Sequence, residues 1–248
     1  MFKDRCDAGH RLGKKLLRYK DRHPLVLALP RGGVPIAYEV ARILDSPFDV
    51  LLVRKIGVSR DPECVVGAIV DGSPPQLVGI GRAGARPGGD SDELRRETER
   101  QLGEIERRRR LYLGDRPHAQ VKGRVVIVVD DGINTGATMR AAIRGLRRQS
   151  PARIVLAVPV AGSDALEDLS GEVDDMVCLI SSPQIEALSH YYEDFHQIHD
   201  NQVADLLRQA EQGHGSAQGR HAITSSRGLQ PERRLRLEKA ELFQAQKT

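Results

Sequence analysis

The sequence predicts an α/β domain with a mostly parallel central sheet flanked by helices. The apolar run Leu25–Leu29 and the mostly apolar segment Phe48–Val53, both predicted strands, enclose the segment Val34–Leu44, whose apolar residues recur with the period of a helix. A strand, a helix and a second strand joined by short links form a βαβ unit, which makes its two strands parallel. The same alternation returns later in the chain, where strands are predicted at 124–129, 154–160 and 176–180 and helices at 138–149 and 164–169.

The remaining elements are predicted from the same kinds of pattern. Leu12, Leu16 and Leu17 fall at helical spacing near the start of the chain, and Asp7 is a plausible cap for that helix. The stretch 57–90 is rich in Gly and Pro and is expected to contain two short strands around a turn, at 64–70 and 76–80. Two further helices are predicted at 91–113, with Ser91 as the cap, and at about 201–209.

The composition is that of a folded globular protein. Hydrophobic residues make up 40% of the 248 residues and charged residues 29%, which excludes a wholly disordered chain. No run of about eighteen apolar residues occurs, so no membrane span is expected, and the first residues lack the apolar segment of a secretory signal. Cys6, Cys64 and Cys178 lie far apart in sequence, which favours reduced thiols over disulfides or a zinc site. We therefore expect a cytoplasmic protein.

The positive charge is confined to the end of the chain. The formal net charge is +4, and residues 213–248, with seven Lys or Arg and three Glu, account for all of it. This segment is rich in Gly, Ser, Gln and Arg, so we expect a disordered basic tail after a domain of residues 1–212. Because that domain is neutral, nucleic-acid binding is not expected, although Arg107–Arg110 forms one local basic cluster.

One strand and the loop after it carry the strongest functional signal. The apolar run Val125–Val129 ends in Asp130 and Asp131, a loop of mostly small residues follows, and a helix then begins. Free backbone amides and the helix dipole at such a helix start bind a phosphate group. The residues expected to form this phosphate loop are Asn134, Thr135, Gly136, Ala137 and Thr138.

The two carboxylates beside this loop need a different partner. They would repel a phosphate, but they suit hydroxyl groups and a divalent cation. A phosphate with a vicinal diol beside it is a ribose 5-phosphate. The alternative is an ordinary strand, turn and helix with solvated acids. A Rossmann or Walker site is excluded, because this loop has neither the glycine spacing of a Rossmann dinucleotide site nor the Gly-Lys-Ser/Thr of a Walker loop.

The Asp130-Asp131 segment resembles the signature with which type I phosphoribosyltransferases bind 5-phosphoribosyl 1-pyrophosphate (PRPP). The resemblance extends over about residues 5–210 and includes two further strand ends, Leu29-Pro30-Arg31-Gly32-Gly33 and Val53-Arg54-Lys55-Ile56-Gly57. It implies a type I phosphoribosyltransferase fold with a small hood at about 188–200, completed by the amino terminus. It also implies a mobile active-site loop at about 57–90, in which Glu63 is either a proton carrier or a solvated acid.

The resemblance also implies a role for each site residue. The catalytic residues would be Asp130, Asp131, Arg31 and Lys55. Arg31, Gly32, Gly33 and Arg54 would bind the pyrophosphate, for which the Arg31 guanidinium is chemically suited. Mg²⁺ would lie at Asp130 and Asp131, in part through water. In the hood, three aromatic residues either stack on a base or form the hood's own small core: Tyr191, Tyr192 and Phe195.

These roles predict transfer of ribose 5-phosphate from PRPP to a nitrogen acceptor, a nucleobase in nucleotide salvage, with release of pyrophosphate. Asn134 stands where hypoxanthine-type enzymes often have Asp, so that chemistry is not expected. A homodimer is expected. Two alternatives remain open: a PRPP-sensing regulator of the same fold that binds RNA or DNA, and a PRPP-binding module without activity.

Overall fold

The computed structural model describes residues 1–57, 65–79 and 91–225, the last part as backbone only from residue 213. The helices in these ranges are α1 (Arg5–Lys15), α2 (Gly33–Leu44), α3 (Ser91–Leu113), α4 (Ala137–Arg147), α5 (Ser163–Ser170) and α6 (Asp200–Ser225). The strands are β1 (Leu25–Ala28), β2 (Phe48–Val50), β3 (Val53–Gly57), β4 (Val65–Val70), β5 (Gln76–Gly79), β6 (Val125–Val129), β7 (Arg153–Gly162) and β8 (Asp175–Ser182). Short 3₁₀ helices lie at Leu17–Arg22 and Leu188–Tyr191.

The main sheet has five parallel strands in the order β2-β1-β6-β7-β8. The α/β fold with a parallel central sheet is therefore confirmed. β1 and β6 run side by side with Ala28 opposite Val129, and the amide of Leu29 donates to the carbonyl of Val129 at 2.8 Å. The loops that follow these two strands consequently leave the sheet at the same edge.

Helices cover both faces of this sheet. Successive β6 residues point to opposite faces, so Ile127 and Val129 belong to one core cluster while Val126 and Val128 belong to the other. The first core contains α1 and α2, and the second contains α4. Gly9 lets α1 approach α2 closely, because a Cβ at that position would lie 2.7 Å from the Ile36 carbonyl. Burial on both faces explains why β1 and β6 are continuously apolar.

β3, β4 and β5 form a separate antiparallel sheet. The two strands predicted around a turn in 57–90 are thus confirmed as β4 and β5, whereas 58–64, with Glu63, and 80–90 lie outside the described residues. The single strand predicted at Phe48–Val53 is wrong. Leu51 still donates to Ala28 of β1, but the Leu52 carbonyl accepts from Asp71, which transfers the chain to the second sheet.

Both ends of the described chain differ from prediction. Asp4, not Asp7, caps α1, and its carboxylate accepts from the Asp7 amide at 2.8 Å. Helix α6 extends to Ser225, well beyond its predicted end at about residue 209. A helix that is already formed extends with one hydrogen bond for each added residue, and no proline interrupts this stretch. Residues 226–248 lie outside the described residues.

The chain divides into two compact units, Met1–Ala210 and Glu211–Thr248. The first contains both sheets and all the residues predicted for the site within the described ranges. Across those ranges, no helix combines the length and the apolar character that a membrane crossing requires.

Candidate functional site

Two loops meet at the carboxyl edge of the main sheet. Gly32 and Gly33, after β1, lie directly against the acidic residues after β6. A Cβ on Gly32 would lie 1.9 Å from Oδ2 of Asp131, and a Cβ on Gly33 would lie 2.7 Å from the Val129 carbonyl. A side chain at position 33 would therefore clash with backbone, and one at position 32 would displace the Asp131 carboxylate, so the turn predicted to bind pyrophosphate contacts the predicted carboxylates.

The predicted phosphate loop is fixed to the neighbouring strand. The Ile133 amide donates to the Val160 carbonyl of β7 at 2.9 Å, and the Ile133 carbonyl accepts from Gly162 at 3.0 Å. Gly136 has φ +75° just before α4, a left-handed conformation that favours glycine. Asn134 and Thr135 are exposed. A cavity of about 200 Å³ is lined by Leu188 and by the residues Asp130, Gly132, Ile133, Asn134, Thr135, Gly136, Ala137, Thr138 and Met139.

Asp130 and Asp131 lie in different electrostatic environments. The Asp131 amide donates to Oδ1 of Asp130 at 2.9 Å. Burial of its carboxyl group, followed by the charge of Asp131, raises the pKa of Asp130 well above its usual range. Asp131 instead forms an ion pair with Arg5 at 2.9 Å. The pair thus combines a carboxyl group that favours its protonated form with one that is paired to a cation.

Arg5 is the main site residue that sequence reasoning missed. Its Nε and Nη2 donate to Oδ2 of Asp131 at 3.0 and 2.9 Å, and its Nη1 donates to the His196 carbonyl at 2.8 Å. The guanidinium carbon lies 3.8 Å from the centre of the Phe195 ring. Only the expectation that the amino terminus completes the hood pointed to this region, and nothing in the sequence pattern distinguished Arg5 from the other arginines of the chain.

The three hood aromatics lie in different surroundings. Tyr192 is 4% exposed, and its ring centre lies 5.3 Å from that of Phe2 and 4.8 Å from that of Phe195. Its hydroxyl donates to the Asp131 carbonyl at 2.7 Å, and burial raises its pKa. Tyr192 therefore forms the small core of the hood, which was one of the two alternatives. Tyr191 and Phe195 are half-buried.

Arg31 lies beside the first residue of α6. Its Nη1 is 3.7 Å from Oδ1 of Asp200, an oxygen that also accepts from the Tyr112 hydroxyl at 2.5 Å. Oδ2 of the same carboxylate is 3.7 Å from Nη2 of Arg107. The Pro30–Arg31 peptide bond is cis. Two guanidinium groups, from Arg31 and Arg107, are thus adjacent to one carboxylate.

Arg54 and Lys55 are on β3 of the second sheet. Nε of Arg54 donates to Oε1 of Gln101 on α3 at 2.7 Å, and Lys55 is exposed. In the part of the chain that the structure describes, no hydrogen bond or ion pair joins either residue to Asp130 or Asp131. The structure therefore brings together the β1 and β6 loops but does not link these two residues to them.

The chemistry of the acidic pair is compatible with Mg²⁺. Asp130 and Asp131 offer hard oxygen ligands, which Mg²⁺ prefers. No cluster of three or more His, Cys, Asp or Glu side chains that could coordinate a metal ion occurs among the described residues. A Mg²⁺ bound here would take its remaining ligands from phosphate oxygens and water.

Comparison with known proteins agrees with this arrangement. Residues 4–195 match the phosphoribosyl transferase domain family. The chain belongs to this family. Its fold is that of the type I phosphoribosyltransferases, as the Asp130-Asp131 segment predicted.

Three relatives of this phosphoribosyltransferase-family chain are informative. Two Mycobacterium tuberculosis proteins, from strains CDC 1551 and H37Rv, are each 37% identical over 218 residues and are provisionally named phosphoribosyl transferases. The match covers 88% of this chain and 48% of each relative, so the chain spans about half the length of these curated relatives. The crystal structure of TT1426 from Thermus thermophilus is 41% identical, with a TM-score of 0.71, covering 84% of this chain and 97% of TT1426.

Proposed function

We propose that this protein transfers ribose 5-phosphate from PRPP to a nitrogen nucleophile and releases pyrophosphate. The observation that carries the proposal is the contact between the two loops. A Cβ on Gly32, in the turn after β1, would lie 1.9 Å from the Asp131 carboxylate, and the adjacent residue Asp130 lines the cavity of the phosphate loop. PRPP carries a 5-phosphate, a ribose diol and a pyrophosphate in that order. This order matches that of the phosphate loop, the two carboxylates and the glycine turn.

Each part of PRPP is assigned to a different group. The 5-phosphate would accept hydrogen bonds from the free amides and hydroxyls of residues 134–138 at the start of α4. Asp130 and Asp131 would accept hydrogen bonds from the ribose hydroxyls. The pyrophosphate would lie along Gly32 and Gly33, with Arg31 beside it. Arg54 and Lys55 would contact it only if β3 approaches the turn when ligand binds.

The reaction requires departure of pyrophosphate and formation of an oxocarbenium-like sugar, as in glycoside cleavage. Arg31 would stabilise the leaving group's negative charge, and the carboxylate of Asp131 would stabilise positive charge on the ribose. Mg²⁺, when bound, would neutralise charge on the pyrophosphate oxygens.

For the acceptor, we propose a nucleobase in a salvage reaction. Tyr191 and Phe195 are the half-buried aromatics at the hood, and Leu188 lines the adjoining cavity. Asn134 has no group that can act as a base, which argues against a hypoxanthine-type proton transfer. A homodimer and a cytoplasmic location remain predictions.

The rival role in nucleic-acid binding finds little support in the arginine cluster. Arg107 and Arg108 each form an ion pair with Glu104 on the same helix, and Arg109 donates to the Arg116 carbonyl at 3.0 Å. Three of the four guanidinium groups thus already have partners within the protein, which reduces the charge available to a phosphate backbone.

The test is pyrophosphate release from Mg-PRPP across a panel of purine and pyrimidine bases. We expect release that depends on one class of base and is lost in a double variant, Asp130→Asn with Asp131→Asn. Asp115→Asn, an exposed acid in a loop, is the matched control and should retain activity. PRPP binding without any base-dependent release would refute the proposed transfer and favour the module without activity.

A further inference from the structure

Arg5 is an almost fully enclosed cation whose partner belongs to the proposed ribose site. Its side chain is 8% exposed and that of Asp131 is 15% exposed. Both Nε and Nη2 of Arg5 donate to the same oxygen, Oδ2 of Asp131. That oxygen is also the one nearest to Gly32, while Oδ1 would lie 2.8 Å from a Cβ on Gly32. Oδ2 of Asp131 is therefore held between Arg5 and the turn Gly32-Gly33, the pyrophosphate turn.

The hood determines where the Arg5 guanidinium lies. Its third nitrogen, Nη1, donates to the His196 carbonyl, and its carbon lies over the Phe195 ring. Asp131 is bound a second time by the hood through its own carbonyl, which accepts from the Tyr192 hydroxyl. Two contacts from the hood thus hold the Arg5 guanidinium, and a third holds the backbone of Asp131 beside it.

Arg5 supplies the nearest positive charge to the carboxyl groups of Asp130 and Asp131. The titratable groups that face it are Asp130 from the same loop, Tyr192 with a raised pKa, and Asp194, which is paired with His196. The positive charge of Arg5 opposes the rise in the pKa of Asp130 that burial and Asp131 cause. Removal of Arg5 would leave adjacent carboxyl groups without this cation, which is costly in a partly buried site.

We propose that Arg5 is a positioning residue for the ribose end of PRPP. It fixes Asp131 against the pyrophosphate turn and balances its charge, so that the ribose hydroxyls meet an oriented carboxylate. This inference rests on the proposed function, because it takes Asp131 as the group that binds the ribose.

The first test compares Mg-PRPP with Mg-pyrophosphate as calorimetric ligands of the full chain. Arg5→Gln should weaken Mg-PRPP binding about tenfold or more, as for a lost charged hydrogen bond, and should change Mg-pyrophosphate binding much less. Arg5→Lys, which keeps the charge, should recover part of the loss. Arg42→Gln, an exposed arginine paired with Glu39 on α2, is the matched control. Equal PRPP affinity in Arg5→Gln and Arg42→Gln would overturn the inference, whereas a parent protein that binds no PRPP would instead refute the proposed function.

The second test asks whether Arg5 acts through Asp131. In the Asp131→Asn background, Arg5→Gln should weaken PRPP binding by less than about twofold, because the coupled pair has already been broken. A further loss of about tenfold in that background would overturn the inference. If Arg5→Gln alone fails to fold, the comparison can still be made, because the double variant removes the positive charge of Arg5 and the negative charge of Asp131 together.

Discussion

Replacement of Gly32 by alanine tests the close approach on which the site depends. Gly32 has φ −60° and ψ −35°, a helical conformation that any residue adopts, so the backbone itself tolerates alanine. The new Cβ would lie 1.9 Å from Oδ2 and 2.4 Å from Cγ of Asp131, whereas Cβ contacts in proteins essentially never fall below 3.0 Å. The carboxylate would therefore have to move by about 1 Å, away from the position in which Arg5 binds it.

This displacement should affect turnover more than stability. Misplacement of a reacting group by about 1 Å can lower a rate about 100-fold, which corresponds to about 2.7 kcal/mol. Insertion of one methyl group at a site with a movable side chain should cost about 1–3 kcal/mol of unfolding free energy. We expect Gly32→Ala to fold, with a modestly lower melting temperature, and to release pyrophosphate about two orders of magnitude more slowly than the parent.

Gly103→Ala is the control for the same substitution. A Cβ on Gly103 would meet no atom within 4 Å, and Gly103 lies within α3, where alanine is favoured by about 1 kcal/mol. Its turnover should be unchanged and its melting temperature slightly raised. The reasoning is refuted if Gly32→Ala releases pyrophosphate as fast as Gly103→Ala does, since the turn would then not contact Asp131 in the working enzyme.

Three further predictions concern the carboxylates and the pyrophosphate site. Asp130→Asn with Asp131→Asn should lower turnover by on the order of a few hundredfold and reduce PRPP affinity less, because the phosphate contacts remain; normal turnover would exclude the mechanism. Arg31→Ala should cost on the order of 2 kcal/mol of PRPP binding but little for a nucleoside monophosphate, and calorimetry that gave equal losses would remove its pyrophosphate role. Since burial raises the pKa of Asp130, its contribution to stability is present at low pH and lost as pH rises through the raised pKa. The melting temperature of the unliganded protein should accordingly fall over that range, and Asp130→Asn should flatten the decline.

The strands and the turn before α4 were predictable because their signals are local. Val125–Val129 is continuously apolar because β6 is buried on both faces, and Gly136 marks a left-handed position at a helix start. The break between β2 and β3 was not predictable, since Leu51 and Leu52 continue the apolar run without interruption. What ends the first strand is a hydrogen bond from Asp71, a residue distant in sequence.

The same distinction separates the predicted site residues from the missed ones. Asp130 and the residues of the phosphate loop sit on one strand and its loop, so a short pattern contains them. Arg5 and His196 meet only because Phe2 pairs with the hood, donating its amide to the Tyr191 carbonyl at 2.8 Å. The hood is thus closed by the two ends of the domain, and its buried cation has no signature in either segment alone.

Because both ends of the domain close the hood, one part of the site is held by the sheet and another part by the hood. The pyrophosphate turn and the phosphate loop are fixed to the sheet, by the Leu29 and Ile133 hydrogen bonds respectively, so their geometry follows from the strands. The orientation of Asp131 follows from the hood as well, through Arg5 and Tyr192. Substitutions at the interface between Phe2 and Tyr192 should therefore weaken binding of the ribose while leaving binding of the two phosphate ends intact. Phe2→Ala, measured with Mg-PRPP and with Mg-pyrophosphate, would reveal that difference, and parallel losses for both ligands would mean that the hood supports the whole site and not Asp131 in particular.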